Sequence, residues 1–448
     1  MKIYTVGGYN EVGKNMTVID LGDDAIMIDA GFFLPAIVEL QEEEHQQKSY
    51  TEKKLRSIGA LPDDLILDKL GVRNKVRAIL LGHAHLDHIG AIPYMSYRYK
   101  APVVGTPFTM AVLKRIMQDE KTTIPNSMIT INPNSTYTIK GKSRNYKAEF
   151  INITHSTIQT SMIAIHTPEG VVLYANDFKL DNTPVVGLPP NYKALQRIAK
   201  EGVKVLIVDA LYSSSDKKTP SEKVARALLE EVLLTIKNEK SAVFVSTFSS
   251  HIARLQSIVD YTKKLNRDIY VIGRSMSKYI NAAKDANSCP FYKDIKIGSY
   301  RKQVESILKQ VAKNRENSLV VCTGHQGEPG SILDRLSKKQ LAFEFKGGDN
   351  LIFSSKTIPV PVNIANKENM NKKFKKTGVR IFDEVHVSGH GGKEDLRDLV
   401  SIINPENIIP SHGTTAQLTP MLELAKEMGY KTGKEVHLVH DGQVLEIK

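Results

Sequence analysis

The stretch "LLGHAHLDHIGAIPYM", residues 80–95, sets three histidines (His83, His85 and His88) and Asp87 within six positions, at the end of the apolar run "VRAILL". Imidazole and carboxylate groups are the donors a zinc ion takes when one coordination position is left for water. Along extended backbone, residues two apart point the same way, so His83 and His85 face one ion. If the chain then turns into a helix, Asp87 and His88 fall in its first turn and face a second ion. A His-x-His-x-Asp-His run behind a strand thus supplies two adjacent half-sites from one strand–loop–helix corner. Two ions ~3.5–4 Å apart clamp the attacking and leaving oxygens of a phosphate displacement. A lone histidine is more often a hydrogen-bonded core or surface residue. Four donors in this order are not explained that way.

The half-sites need further donors, and the sequence offers them at strand ends. His155 follows an alternating strand in "FINITHST", Asp177 ends "VVLYANDF", and His412 ends "IIPSHGT". A carboxylate at Asp177 can bridge two ions. Any metal must sit on such ligands, because the chain has only two cysteines, Cys289 and Cys322, too far apart for a thiolate zinc site. Two cysteines also exclude a disulfide framework, and a reducing cytoplasm is expected. No apolar run approaches the roughly 20 residues of a membrane span, so no membrane partner is expected. The opening "MKIYTVGGYNEVGKN" lacks the basic and apolar regions of a signal peptide. A net charge of +12 suits a polyanionic partner, nucleic acid first, with a lysine-rich proteome as the plain alternative.

At 448 residues the chain exceeds one ordinary core. Residues 1–31 alternate in short bursts that read as strands. Residues 35–75 interrupt them with an acidic, helix-prone insert, expected as a solvated surface loop, with a dimer contact or docking loop as alternatives. "APVVGT", "VVLYAND" and "VKVLIVDA" read as further strands, each followed by a loop or helical pattern, the alternation of a layered α/β fold. After Asp209 the texture becomes a repeated β-α-β unit with its own parallel sheet. The lysine-rich segment 366–378 reads as a hinge or solvated helix returning to the first domain. "VHVSGHGG" and "NIIPSHGTT" then read as strands ending in histidine.

The cluster, with His155, Asp177 and Asp29 in "MIDAG", resembles the metallo-β-lactamase superfamily. Asp209, His390 and His412 resemble the added motifs of its β-CASP nucleases. Seven peptides, "GGYNEVGKNMTVI", "HAHLDHIGAIPY", "TFSSHIARLQ", "TGHQGEPGS", "FSSKTIP", "VHVSGHGGKEDL" and "IIPSHG", are similar in order and spacing to the ribonuclease J family over nearly the whole chain. His251 stands where that family usually has Asn, and His325 where Ser is common.

The resemblance implies an α/β fold, an αββα sandwich with an inserted parallel-sheet β-CASP domain. The expected divisions are 1–212 and 369–448 for the sandwich and 213–368 for the insert. It implies two Zn²⁺ per chain, with Mn²⁺ or Mg²⁺ as alternatives. One ion would take His83, His85, His155 and Asp177, and the other Asp87, His88, Asp177 and His412. His390, oriented by Asp209, would act as general acid, with Asp87 also at the reacting centre. Substrate contacts are expected in an interdomain groove, from Ser246, Ser250, Arg274, Ser275, Ser354 and Ser355. His386 and Ser388 resemble the family's 5′-phosphate contacts, and Gln326 is a candidate for the same pocket. For each serine a helix cap is the competing role.

The activity implied is 5′→3′ exonucleolytic hydrolysis of single-stranded RNA, preferring a 5′-monophosphate and releasing nucleoside 5′-monophosphates, in RNA processing and decay. Bacterial members carry a further C-terminal domain, and a chain ending at Lys448 resembles the archaeal form; a homodimer is expected. Three other readings compete. A polyadenylation-factor type endoribonuclease would share the β-CASP motifs. A small-molecule metallo-hydrolase would explain the metal motif but not the inserted domain. A catalytically silent RNA-binding scaffold would not need the full ligand set.

Overall fold

In the strand Ser161–Thr167, Met162 and Ala164 turn to one apolar cluster, and Ile163 and Ile165 to another. Successive side chains of a strand point to opposite faces, so a strand apolar on both belongs to a sheet covered on both sides. The computed structural model describes residues 1–44, 50–235, 240–358 and 361–448. They form two compact units. The first takes Met1–Asn182, Leu188–Thr219 and Gly389–Lys448, and the second Thr183–Gly187 and Pro220–Ser388.

The strands run in chain order β1 (Lys2–Gly7), β2 (Met16–Asp20), β3 (Ala25–Ile28), β4 (Val76–Leu80), β5 (Val103–Gly105) and β6 (Met128–Thr130). Then come β7 (Ser135–Lys140), β8 (Asn145–Asn152), β9 (Ser161–Thr167), β10 (Gly170–Ala175) and β11 (Val203–Asp209). The second unit holds β12 (Val243–Ser246), β13 (Asp268–Ile272), β14 (Lys296–Gly298), β15 (Ser318–Cys322), β16 (Asn350–Phe353) and β17 (Arg380–Phe382). The chain returns to the first unit with β18 (Asn407–Ser411) and β19 (Gln443–Glu446).

The first unit is a sandwich. One sheet has the order β19-β1-β2-β3-β4-β5-β6 and the other β18-β11-β10-β9-β8-β7. Ile19, Ile26 and Leu80 of one sheet share a core with Phe150, Ile163 and Ile207 of the other. Helices Tyr192–Glu201, Lys393–Ile403 and Thr415–Glu427 cover the outside of the second sheet through Leu195, Leu399 and Leu418. Helix Pro107–Asp119 packs on β5 and β6. The helix–sheet–sheet–helix layering is the expected one.

The insert at 35–75 is not a solvated loop. It contains helices Leu34–Glu44, Glu52–Ser57 and Leu65–Lys69, tied down by buried Leu40, Leu55 and Leu67. Asp64, wholly buried, accepts from Arg98 Nε at 2.9 Å and from the Tyr99 hydroxyl at 2.6 Å. Residues 45–49 of the acidic stretch lie outside the described ones.

The sheet of the second unit, in order β14-β13-β15-β12-β16-β17, is parallel throughout. Parallel neighbours need crossovers, and helices such as Ile252–Lys264, Arg274–Asp285 and Arg301–Lys313 supply them. All six carboxyl ends therefore lie along one edge, where open α/β sheets bind ligands. Two expectations fail here. The segment 366–378 does not return to the first unit; helix Pro361–Lys375 buries Met370 and Phe374 in the second unit's core and crosses from β16 to β17. "VHVSGHGG" is not a strand, because pairing stops at Phe382 and Glu384 takes a left-handed φ of 60°. No described helix is long and apolar enough to cross a membrane.

Phe244 is the keystone of the second unit's core, with its ring 4.8 Å from those of both Phe343 and Phe345. Phe244→Ala should cost about 3–5 kcal/mol, the range for deleting a buried aromatic ring. Denaturant unfolding followed by a probe in that unit checks it, and a midpoint within error of the parent contradicts it.

Candidate metal centre

The donors are gathered by strand ends of the first unit. β4 runs out at Leu80, and the loop behind it is pinned from two sides. Gly82 N–H donates to Asp29 Oδ1 at 2.8 Å, and Ser161 N–H donates to Gly82 O at 3.0 Å. His85 then caps helix Leu86–Ile89, so Asp87 and His88 lie in its first turn. His155 follows β8, Asp177 follows β10, Asp209 ends β11 and His412 follows β18. Asp29, Asp177 and His412 have left-handed backbone, with φ of 60°, 57° and 64°. That conformation costs an L-residue roughly 1–2 kcal/mol. Such outliers persist where the surroundings over-determine them, commonly at functional sites.

Two donor groups share Asp177. His83, His85, His155 and Asp177 have ligand atoms within 4.8 Å of one another, and so do Asp87, His88, Asp177 and His412. The carboxylate divides between them. Asp177 Oδ2 lies 3.3 Å from His83 Nε2 and 3.5 Å from His155 Nε2. Its Oδ1 lies 3.3 Å from His88 Nε2 and 3.6 Å from His412 Nδ1.

Ring nitrogens crowd just as closely. His85 Nδ1 is 3.0 Å from His83 Nε2 and 3.2 Å from His155 Nε2. Burial pushes His83 down to about 3 and His155 well below its ordinary value, so both present neutral lone pairs. Burial opposes the charge of Asp177, but the histidines around it hold its carboxyl well below the usual range. Against burial, Asp177, Asp29 and Asp87 raise His88 well above its usual value, a mark of surplus negative charge. Asp177 Oδ1 and His83 Nδ1 are buried without a hydrogen-bond partner. The neutral rings of His83 and His155 beside an unsatisfied carboxylate, with surplus negative charge at His88, fit a divalent cation. The same groups, with no cation, would leave buried polar atoms orphaned at about 1–3 kcal/mol each.

A third group joins Asp177, Asp209 and His390. His390 Nδ1 is 2.7 Å from Asp209 Oδ2, and its ring stacks on His412 with centroids 5.4 Å apart. Burial opposes its charge, yet Asp209 and Asp177 raise it to about 9.

Several supporting residues escaped the sequence reading. Asn15 Nδ2 is 3.0 Å from both His88 Nε2 and His412 Nδ1, and Asn176 Nδ2 donates to Asn15 Oδ1 at 3.0 Å. The Tyr174 hydroxyl donates to Asp29 Oδ2 at 2.9 Å, the oxygen 2.7 Å from His88 Nδ1. These second contacts fix ring orientation. Asn176 adjoins Asp177, which is a usable signal; Asn15 has none beyond its place in "EVGKN".

The expected substrate residues of the second unit follow its strand ends, but their side chains differ in availability. Ser246 Oγ donates to Cys322 O at 3.1 Å, and Ser354 Oγ donates to Val385 O at 2.9 Å, so both hydroxyl protons serve the fold. Gln326 Oε1 accepts from Ile358 N–H at 3.1 Å and Asn363 Nδ2 at 2.8 Å, which commits its carbonyl to the loop. Ser355 Oγ is buried without a partner. Ser250 is buried, while Arg274 and Ser275 are exposed in the first turn of their helix. None of the candidate serines caps a helix; His251 and Gly273 hold those positions. His386 and Ser388 are half-buried.

Three family profiles match the chain. Residues 9–208 match the metallo-beta-lactamase superfamily, 240–374 the ribonuclease J beta-CASP domain, and 379–439 a Zn-dependent metallo-hydrolase RNA specificity domain. Ribonuclease J of Methanocaldococcus jannaschii is 38% identical over 100% of this chain and 99% of its own. Ribonuclease J of Pyrococcus abyssi is 42% identical over 100% and 97%. That of Helicobacter pylori is 31% identical, with the match spanning 61% of its length. A crystal structure of a protein of unknown function from Enterococcus faecalis has the same fold, with a TM-score of 0.63, 16% identity and 99% coverage of both chains.

Gly31 gives a test of how the cluster is held. A Cβ there would sit 1.6 Å from the Asp87 carbonyl oxygen and 2.6 Å from His88 N. Gly31→Ala must push the donor-bearing helix away, and bound divalent metal should fall several-fold in elemental analysis. Full metal content with an unchanged melting temperature would contradict this.

Proposed function

The chain belongs to the ribonuclease J family, metal-dependent RNA hydrolases, and on that footing we propose that it degrades single-stranded RNA from the 5′ end and releases nucleoside 5′-monophosphates. The observation that carries the reading is the division of the Asp177 carboxylate between two donor groups, beside a His390 whose Nδ1 lies 2.7 Å from Asp209 Oδ2. His83, His85, His155 and Asp177 would hold one Zn²⁺, and Asp87, His88, Asp177 and His412 the other. Bound there, divalent ions supply Lewis acidity and make a water nucleophilic near neutral pH.

The chain's own residues do the rest. Asp29 orients the His88 ring through Nδ1. Asp209 takes Nδ1 of His390, and the Nε2–H would protonate the departing 3′ oxygen. Cleavage on that side leaves the phosphate on the 5′ oxygen of the product. Recognition of the 5′ end is assigned to His386 and Ser388, which precede His390 in the chain. Donors placed for a terminal monophosphate make strong, geometrically exacting bonds. A 5′-hydroxyl end would leave them unpaired at ~1–3 kcal/mol, about 5- to 150-fold in rate.

The test is digestion of RNA labelled separately at its two ends, with 5′-monophosphate, triphosphate and hydroxyl forms compared. The reading expects 5′-label released first as mononucleotide and the monophosphate degraded fastest. Internal cuts at equal rates for all three forms would establish the endoribonuclease reading in its place. His390→Ala should lower the rate by about 10²–10⁴, the loss of a positioned general acid, with metal content kept. His412→Ala should lower metal content instead; equal metal loss in both would show the two histidines wrongly divided.

A further inference from the structure

A buried ion network in the second unit takes no part in the mechanism above. Arg254, in the first turn of helix Ile252–Lys264, has no exposed surface. Its Nε donates to Glu222 Oε1 at 2.6 Å and its Nη2 to Glu222 Oε2 at 3.0 Å, a two-pronged pair. His251 Nδ1 accepts the Arg254 backbone N–H at 3.3 Å, and His251 Nε2 lies 3.4 Å from Glu222 Oε2. Burial opposes the charge of Glu222, but His251 and Arg254 hold its carboxyl well below the usual range. Such a pair is weak evidence of stabilisation, since apolar residues of like volume often do as well.

What the pair holds is Arg254 Nη1. That nitrogen lies 2.9 Å from both Ser354 O and Ser354 Oγ, and 3.3 Å from both Val385 O and His386 Nδ1. A guanidinium only donates and does not lose its proton. His386 Nδ1 must therefore accept, and the ring is the neutral tautomer with its proton on Nε2. No hydrogen bond to that Nε2 occurs among the described residues. The groups acting on the ring are Arg254, His251, Glu222 and His325, with the Phe248 ring 6.2 Å away. Burial first, and Arg254 next, hold its pKa down at about 2.

We propose that Arg254, anchored by Glu222, is a positioning residue for 5′-end recognition, fixing His386 as a neutral N–H donor at Nε2. This rests on the reading of His386 as a contact of the terminal phosphate. The familiar alternative is a histidinium that gains its phosphate affinity by titration. In the arrangement found here the donor is constant through the neutral range, and Ser354 and Val385 are held by the same nitrogen.

The test reads the ring and the kinetics together. In native protein with ¹⁵N-labelled histidine, the His386 signals are identified by their loss in His386→Ala. They should show a protonated Nε2 and a bare Nδ1 at about pH 6 and about pH 8 alike. A proton on Nδ1, or a midpoint between those values, overturns the proposal. In the double variant Glu222→Gln with Arg254→Met, which leaves no lone buried charge, KM for 5′-monophosphorylated RNA should rise ~10-fold with kcat within about twofold. A KM equal to the parent's, while His386→Ala raises it, overturns the positioning role alone. If His386→Ala also leaves KM and the preference among 5′ ends unchanged, the 5′-end reading falls with it. Should the double variant fail to fold, the spectrum of the native protein still decides.

Discussion

Asp177 must face two groups of histidines at once, one with each carboxylate oxygen, and most of the first unit can be read as the means to that end. A short aspartate reaches both groups only from the space between the sheets' loop ends, just past β10. There the backbone turns left-handed, against its preference, and buried neighbours hold it. β4, β8, β11 and β18 finish close by, and each delivers a donor within two or three residues of its end or at its last residue. Core clusters on both faces of the second sheet, one of them shared with β4 of the first sheet through Ala78 and Leu80, hold those ends in place. The apolar interior is the frame that supports a strained, charge-dense rim.

The local part of this design was legible in the sequence. His83, His85, Asp87 and His88 lie on one strand–loop–helix corner, and their spacing already separates them into the two donor groups found in the structure. Asp177, Asp209 and His412 were visible because each ends an apolar run. What escaped was tertiary. Asn15 reaches His88 and His412 from far along the chain, and Gly31 matters only because the Asp87 carbonyl passes where its side chain would be. In the segment 366–378 the lysines hid Met370 and Phe374, two buried residues at helical spacing. "VHVSGHGG" alternates like a strand, but Val385 makes one bond to Phe353 O and the chain leaves the sheet.

The two units place charge differently. In the first, carboxylates and imidazoles converge and leave atoms unsatisfied, the signature of a site built for an ion that balances them. In the second, Glu222 and Arg254 satisfy each other almost completely. One arrangement suits a cation; the other fixes the direction in which a neighbouring ring donates. Both are buried, so burial does not by itself separate a binding group from a positioning one.

Zinc content per chain, measured on native protein and on Asp177→Asn after equilibration at equal free zinc, tests the central claim most directly. Two ions in the native chain, and weakened binding of both in the variant, follow if each oxygen of Asp177 serves one ion. A native chain that saturates at one ion, or a variant that keeps one ion at native affinity, would contradict the shared carboxylate and the account built on it.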